Sequence, residues 1–250
     1  MRVGRIGAFD MGCAPSERCS AISLLAVLFF AAGVLCSCNA FADPICGRDA
    51  AALTPGNWAL LAQAHGDLGG DGISDIALVA EAREPSGYAM QRARRLILAD
   101  FRRELAEFCV NFTDDAFIAA AGGEFMEEPF GPEGLLIDRG SLLLSFGVFM
   151  SAGSWDQRGI TYRFRRTSAG MRLIGYDLIA FSRATHAKST LSLNLLTGKL
   201  QESSGPVPSA RSRKRCPLLA AREVLMADIA DPLSFLVDDS TCVQDNSSGA

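Results

Sequence analysis

Histidine is scarce in this chain, and the motifs that identify several large classes of enzyme do not occur in it. His65 and His186 are the only histidines among 250 residues. The sequence has no G-x-S-x-G nucleophile elbow, no H-E-x-x-H zinc motif and no G-x-x-x-x-G-K phosphate loop. These absences argue against a triad hydrolase, a zinc protease and a P-loop nucleotide site. No catalytic set emerges from the remaining residues.

The apolar run at residues 22–35 is too short for a membrane-spanning helix, which needs roughly 20 residues. It follows three arginines and precedes Ala40-Phe41-Ala42, a small-x-small pattern typical of a cleavage site. Residues 1–42 are therefore predicted to be a secretory signal peptide, with a mature chain that begins at Asp43. The protein is expected in the periplasm or outside the cell, with no transmembrane span after cleavage.

A second processing route stays open. Leu35-Cys36-Ser37-Cys38 resembles a bacterial lipoprotein box in which Cys38 is the acylated residue. Cleavage near Ala42 predicts a free periplasmic or secreted protein, whereas acylation of Cys38 predicts a lipid-anchored one.

Cysteine spacing in the mature chain includes no C-x-x-C pair. The four cysteines beyond the leader are Cys46, Cys109, Cys216 and Cys242. An even number in an exported protein predicts two disulfides, and four cysteines allow three pairings. Chain proximity alone favours Cys46 with Cys109 and Cys216 with Cys242. A zinc site is the competing interpretation, and the spacing does not favour it.

The mature chain of about 200 residues suits one domain with a substantial core. The formal net charge of −4 includes the leader's arginines, so the mature part is more acidic still, and nucleic acid is not an expected partner. The chain has two local clusters of basic residues. The first is most simply interpreted as the solvated ends of strands, and the second as part of a linker. They are Arg92, Arg94, Arg95, Arg102 and Arg103, and then Arg211, Arg213, Lys214 and Arg215. Because the second cluster follows a Ser/Gly/Pro-rich run, residues 205–215 are predicted to be a mobile basic linker.

The feature with the clearest chemistry is a nine-residue loop from Asp67 to Asp75. Carboxylates occupy its first, fifth and ninth positions and glycine its sixth. Calcium takes about six to eight oxygen ligands, and a glycine at that position lets a short loop turn sharply around it. We predict a weak calcium site formed by Asp67, Asp71, the Ile73 carbonyl and Asp75.

Two departures separate this loop from an EF-hand. Gly69 stands at the third position and offers no side-chain oxygen, and Leu78 replaces the bidentate glutamate at the twelfth. Affinity should therefore fall toward roughly 10⁻⁴ to 10⁻³ M. The alternative is an ordinary turn in which the aspartates accept hydrogen bonds from backbone amides.

Residue periodicity predicts a mainly β fold, with α-helix as a minor component. Ile160, Tyr162 and Phe164 alternate with polar residues, as in a sheet with one wet face. Residues 135–137 and 142–146 flank Arg139-Gly140 and predict a hairpin, and further strands are expected at 172–179 and 190–196. Residues 43–204 are thus predicted to form one antiparallel meander or sandwich-like domain.

The C-terminal part has a different composition. Residues 217–230 favour a helix that stops at Asp231-Pro232. Residues 216–242 are therefore predicted to be a helical segment with a short C-terminal helix, and residues 243–250 a disordered tail.

Several segments between residues 58 and 199 occur in the same order as in a known family of proteins. They are Gly66-Asp67 to Asp75 with Ile76-Ala77-Leu78-Val79, Trp155, Tyr162-Arg163-Phe164-Arg165, Leu173-Ile174-Gly175-Tyr176 and Asn194-Leu195-Leu196-Thr197-Gly198-Lys199. This set resembles a family of bacterial secreted proteins and lipoproteins with a single FG-GAP-like aspartate loop. The resemblance implies a cell-envelope location and a mostly β domain, and it supplies no enzymatic role. A propeller is not implied, because its loops repeat and this one does not.

Two other features give two hypotheses about function. Trp155 could stack on a sugar or peptide, or it could close the edge of the core. Glu127 and Glu128 could be half of a glycosidase-like carboxylate pair, or merely solvated. The first hypothesis is a non-enzymatic envelope protein that binds a protein or glycan partner. The second is a hydrolase of envelope polymers that uses acidic residues.

Overall fold

A computed structural model of the protein describes residues 45–85, 91–120, 125–205, 212–217, 221–235 and 242–244. The predicted signal peptide at 1–42, including Cys38, lies outside these residues. Among the residues that are described, no helix has the length and apolar character that crossing a bilayer requires. All of them belong to one compact unit.

Antiparallel strands make up most of the described chain. In chain order the elements are β1 Cys46–Gly47, α1 Ala50–Leu53, β2 Trp58–Gly66, β3 Asp75–Ala82, β4 Arg94–Arg102, β5 Glu107–Asp114, β6 Leu135–Asp138, β7 Ser141–Val148, β8 Asp156–Thr167, β9 Gly170–Ser182, β10 Lys188–Asn194, β11 Lys199–Gly205, β12 Ser212–Arg215 and β13 Val243–Gln244. Short 3-10 helices occur at Pro132–Gly134 and Met226–Asp228. The mainly β prediction is confirmed.

The strands form two sheets. One has five strands in the order β1-β5-β4-β3-β2, and the other has eight in the order β13-β12-β11-β10-β9-β8-β7-β6. From β6 to β12 each strand pairs with the next one along the chain. This is the predicted meander, including the hairpin of β6 and β7 around Arg139-Gly140.

The two sheets bury their residues differently, and the sequence pattern explains why. In β8, Ile160, Tyr162 and Phe164 are buried while the residues between them face outward. In β3, all residues from Ile76 to Ala80 are buried. Ala77 and Val79 join the main core, whereas Ile76, Leu78 and Ala80 pack into a second cluster on the opposite face. The five-stranded sheet is therefore covered on both faces, which matches the unbroken apolar run.

The described residues form two disulfides, with the favoured pairing. Cys46 of β1 joins Cys109 of β5, directly opposite in the strand register. Cys216 joins Cys242 and links the end of β12 to the start of β13. Each bond ties a short edge strand to its neighbour, so the disulfides hold one outer margin of each sheet.

The described residues after Gly205 depart from the sequence predictions. Ser212–Arg215, expected in a basic linker at 205–215, form β12, and Val243–Gln244, expected in the tail, form β13. Within the described residues of the predicted helical segment at 216–242, Pro217 and Ala221 are helical, Leu225 bridges to Arg172 of β9, and Met226–Asp228 form a 3-10 helix. Residues 206–211, 218–220, 236–241 and 245–250 lie outside the described part. Pairing with β11 overrides the linker-like composition of residues 212–215.

An aromatic core joins the eight-stranded sheet to the segment that follows Asp231-Pro232. The Tyr162 hydroxyl donates to the Pro232 carbonyl at 2.6 Å, and the Tyr176 hydroxyl donates to the Phe235 carbonyl at 3.0 Å. Burial raises the pKa of both tyrosines, so both remain neutral donors. Hydrogen bonds from these two tyrosines thus hold the segment that follows Asp231-Pro232 against the core.

Candidate functional site: the aspartate loop and the Trp155 edge

The aspartate loop connects β2 to β3 in the five-stranded sheet. Gly70 and Gly72 have φ values of 75° and 77°, which side-chain-bearing residues rarely adopt. Leu68 is 4% exposed and belongs to the main core. The loop is therefore anchored to the core by Leu68, and its backbone turns sharply at Gly70 and Gly72.

Asp67 organises the first half of the loop. Its carboxylate accepts hydrogen bonds from the backbone amides of Gly70 at 2.5 Å, Asp71 at 3.2 Å and Gly72 at 2.8 Å. The Gly72 amide is the main reason that the pKa of Asp67 lies below its ordinary value, and the other amides add to the effect. Asp67 is thus held as a carboxylate at the open side of the loop.

Asp75 lies beneath the loop and is 3% exposed. Its carboxylate accepts from the amides of Leu68 at 2.9 Å and Gly69 at 3.1 Å, and from Phe101 at 3.3 Å. Burial raises the pKa of Asp75 despite these hydrogen bonds, and the nearby charge of Asp100 adds to the rise. Asp75 therefore ties the loop to β4 but carries an electrostatic cost when it is ionised.

The carboxylates of Asp71 and Asp75 approach a common point at Gly69. A Cβ atom placed on Gly69 would lie 3.9 Å from the Asp71 carboxyl carbon and 3.8 Å from Asp75 Oδ2. Asp71 also accepts from the Ile73 amide at 2.9 Å. The empty third position of the loop thus faces two of the three carboxylates.

In this geometry the three aspartates bond to backbone amides, as the alternative interpretation predicts. Within the described residues, no group of three or more His, Cys, Asp or Glu side chains is arranged to hold a metal ion. A carboxylate has about four lone-pair sites, so an oxygen that accepts one amide retains capacity for a cation. Calcium binding by Asp67, Asp71, the Ile73 carbonyl and Asp75 stays a prediction.

Trp155 lies in the connection between β7 and β8 and is 67% exposed. The Arg183 guanidinium lies 5.7 Å from its ring centroid and 4.7 Å from that of Phe149. Arg183 also donates to the carbonyls of Met150 at 2.9 Å and Ser154 at 2.6 Å. Trp155 therefore does not close the core edge. It is an exposed indole that an arginine, which the sequence analysis did not single out, holds in place.

Glu128 is bound to a buried arginine. Arg94 of β4 is 5% exposed and contacts Glu128 at 2.6 Å and Glu81 of β3 at 2.8 Å, with a further bond to the Ala119 carbonyl at 2.7 Å. Burial would raise the pKa of Glu128, but the hydrogen bonds from Arg94 and Phe130 and the charge of Arg94 place it below its ordinary value. Arg94 is thus not a solvated strand end, as its basic cluster suggested.

Comparisons with known proteins add no family. Scans against protein-family models, curated proteins and solved structures found no match. The resemblance to secreted proteins with one FG-GAP-like loop therefore stays a prediction, and the function has to be argued from the residues themselves.

Proposed function

We propose that the protein is an exported, non-enzymatic binding protein of the bacterial cell envelope, with one weak calcium site in the aspartate loop. The leader pattern at residues 1–42 and the disulfides Cys46–Cys109 and Cys216–Cys242 support export, because disulfides persist in oxidising compartments. Lipid attachment at Cys38 remains the alternative to a free periplasmic or secreted form. The partner is a protein or glycan of the envelope.

The observation that carries the binding role is the Trp155 edge, which consists of the exposed indole of Trp155 with Phe149 and Arg183 beside it. An exposed tryptophan contributes a large apolar contact area, and such residues are frequent at binding hot spots. The hydrogen bonds of Arg183 to the Met150 and Ser154 carbonyls hold the backbone of the loop that carries Trp155, so less backbone entropy is lost when a partner stacks on the indole. Sugar rings and peptide planes are ligands that an indole face can accept.

Calcium fits the loop because it carries three carboxylates and the empty third position at Gly69 faces two of them. The carboxyl groups of Asp71 and Asp75 come within 4 Å of a Cβ atom placed on Gly69. Three backbone amides hold Asp67, two residues before Gly69, in its ionised form. A divalent cation would relieve the mutual repulsion of these charges. Affinity should remain low, because Gly69 supplies no ligand and Asp75 is already engaged with three amides.

The hydrolase alternative receives less support from the same residues. A glycosidase acid needs a raised pKa so that it is protonated near neutral pH. The pKa of Glu128 is lowered, and Arg94 bridges Glu128 to Glu81. Both carboxylates thus serve to neutralise a buried cation, and we propose a structural role for Glu128.

Binding through Trp155 can be tested by co-sedimentation of the mature protein with purified cell envelopes. Trp155→Ala should reduce the bound fraction, whereas Trp58→Phe, which changes the other tryptophan, should not. Arg183→Met should cause an intermediate loss, because Trp155 remains but is no longer held. Equal binding of wild type and all three variants would contradict a binding role for the Trp155 edge.

A further inference from the structure

The outer face of the eight-stranded sheet carries a strip of basic and polar side chains, opposite to the face that packs on the core. Strand register aligns two rows across it. The first row contains Arg163, Gly175, Asn194, Lys199 and Arg215, and the second contains Ser145, Thr161, Asp177, Ser192, Gln201 and Arg213. With strands about 4.8 Å apart, the row from β8 to β12 spans roughly 19 Å.

This strip has a charge opposite to that of the protein as a whole. Its cations are Arg139, Arg163, Arg165, Lys199, Arg213 and Arg215. Asp138 and Asp177 are the acidic residues that the register places on the same side of strands β6 to β11. The chain has a formal net charge of −4, so a cationic strip on it is not a consequence of average composition. Such a field attracts anionic partners.

A groove of about 340 Å³ opens within the strip. Its lining includes the cations Arg139, Arg163 and Arg165, the acid Asp177, the polar residues Ser192 and Asn194, and the half-exposed Leu196. Gly175 forms part of its floor. A Cβ atom at Gly175 would lie 3.4 Å from Cβ of Arg163, so the missing side chain leaves room beside the Arg163 stem. The nearest acid, Asp138, is 3.6 Å from Arg163 and exposed, which makes that ion pair weak.

We propose that this basic strip binds an anionic polysaccharide, with Arg163 and Lys199 contacting its acidic groups and Ser192 and Asn194 its hydroxyls. The inference specifies the partner class for the proposed binding role and rests on it. A polysaccharide fits better than a lipid surface because the hydroxyl and amide groups of Thr161, Ser192, Asn194 and Gln201 lie among the cations, with Leu196 as the exposed apolar residue of the groove. It fits better than a compact acidic patch because the strip is long and narrow.

The probe is a fluorescent hyaluronate oligosaccharide, in which carboxylates alternate with hydroxyl-rich sugars. Anisotropy is measured on the mature protein with chelator present, so that calcium plays no part. Arg163→Gln combined with Lys199→Gln should weaken binding about tenfold, since each exposed ion pair contributes a factor of about two to five. Arg102→Gln with Arg103→Gln removes the same charge from the five-stranded sheet and should leave affinity unchanged.

A second variant tests the groove without altering charge. Gly175→Val should displace Arg163 and weaken binding by a similar factor, while the melting temperature shows whether the fold is retained. Wild-type affinity in both the charge variant and Gly175→Val would overturn the proposal. Tighter binding to phosphatidylglycerol vesicles or to poly-glutamate, lost in the same variants, would assign the strip to a lipid or acidic protein instead and would also overturn it. If hyaluronate fails while Trp155 still governs binding to envelopes, only this inference is rejected.

Discussion

Replacement of Gly69 by aspartate should strengthen the response of the aspartate loop to calcium, making the protein less stable than wild type in chelator and more stable than wild type in calcium. A side chain at this position would start 3.8 Å from Asp75 Oδ2 and 3.9 Å from the Asp71 carboxyl carbon. The φ angle of Gly69 is outside the left-handed region, unlike those of Gly70 and Gly72, so the backbone accepts the substitution. The new carboxylate would add both a like charge and the missing third ligand.

The difference in stability between Gly69→Asp and wild type should have opposite signs in chelator and in calcium. In chelator, repulsion of about 1 kcal/mol from each close carboxylate in water-like surroundings should destabilise Gly69→Asp relative to wild type. If the dissociation constant is about 0.1 mM, about 10 mM calcium contributes roughly 2.7 kcal/mol to the free energy of unfolding. For a domain of this size that is a rise in melting temperature of about 5 to 11 °C.

The assay is differential scanning fluorimetry of the mature protein after chelation, with calcium or magnesium added back. Gly69→Ala is the matched control, because it changes the same position without adding a ligand. Asp71→Asn can retain the bond to the Ile73 amide while removing a charged ligand, so it should lose the calcium response without a large loss of stability in chelator. Magnesium should do less, because it demands octahedral geometry and retains its waters. If calcium leaves the melting curves of wild type and Gly69→Asp unmoved, the loop is an Asx-rich turn and the metal assignment is wrong.

Four further predictions concern stability and processing. Arg94→Met should cost about 3 kcal/mol in urea unfolding, because it leaves Glu128 without its cation and leaves Glu81 with the exposed Arg92, whereas Arg92→Met should cost less than about 1 kcal/mol; similar losses in both variants would contradict a structural role for Arg94. Removal of the Cys46–Cys109 bond, with a sequence separation of 63, should cost about 4 kcal/mol, and removal of Cys216–Cys242, with a separation of 26, about 3.5 kcal/mol, as measured by denaturant titration of paired serine variants. Because the pKa of Asp75 is raised, its contribution to stability is present below the unfolded pKa and is lost as pH rises. The free energy of unfolding of Asp75→Asn should therefore rise relative to that of wild type between about pH 3 and pH 7. The pKa of Asp67 is lowered, so Asp67→Asn should show the opposite trend. Intact mass of the exported protein should begin at Asp43 and lie about 4 Da below the reduced value, and a diacylglycerol-sized addition on Cys38 would establish the lipoprotein route instead.

Local patterns predicted the parts of the fold that depend on neighbouring residues. The alternation of Ile160, Tyr162 and Phe164 placed β8 with its buried face correctly, and the Arg139-Gly140 turn marked the β6–β7 hairpin. Both disulfides followed from chain proximity. In each case the deciding interaction joins residues whose order in the sequence already limits their partners.

Long-range partners account for the features that the sequence did not reveal. Arg94 is neutralised by Glu81 and Glu128, which are 13 and 34 residues away, so its cluster resembled a solvated strand end. Ser212–Arg215 form a strand because β11 is available beside them, although their surroundings have the composition of a linker. Arg183, which donates to the Trp155 carbonyl and lies near its ring, is 28 residues later in the chain. The loop aspartates illustrate a different limit, since the same residues suit both an Asx turn and a calcium site.

The central claim, that this protein binds an envelope partner through the Trp155 edge, can be measured most directly by photo-crosslinking in the native cell. A benzoylphenylalanine residue replaces Trp155 in one strain and Leu105, which is 54% exposed in the turn between β4 and β5, in another. After irradiation, the protein carrying the crosslinker at position 155 should form a discrete envelope adduct, and the protein carrying it at position 105 should not. Equal labelling at both positions, or no adduct at position 155, would contradict the claim.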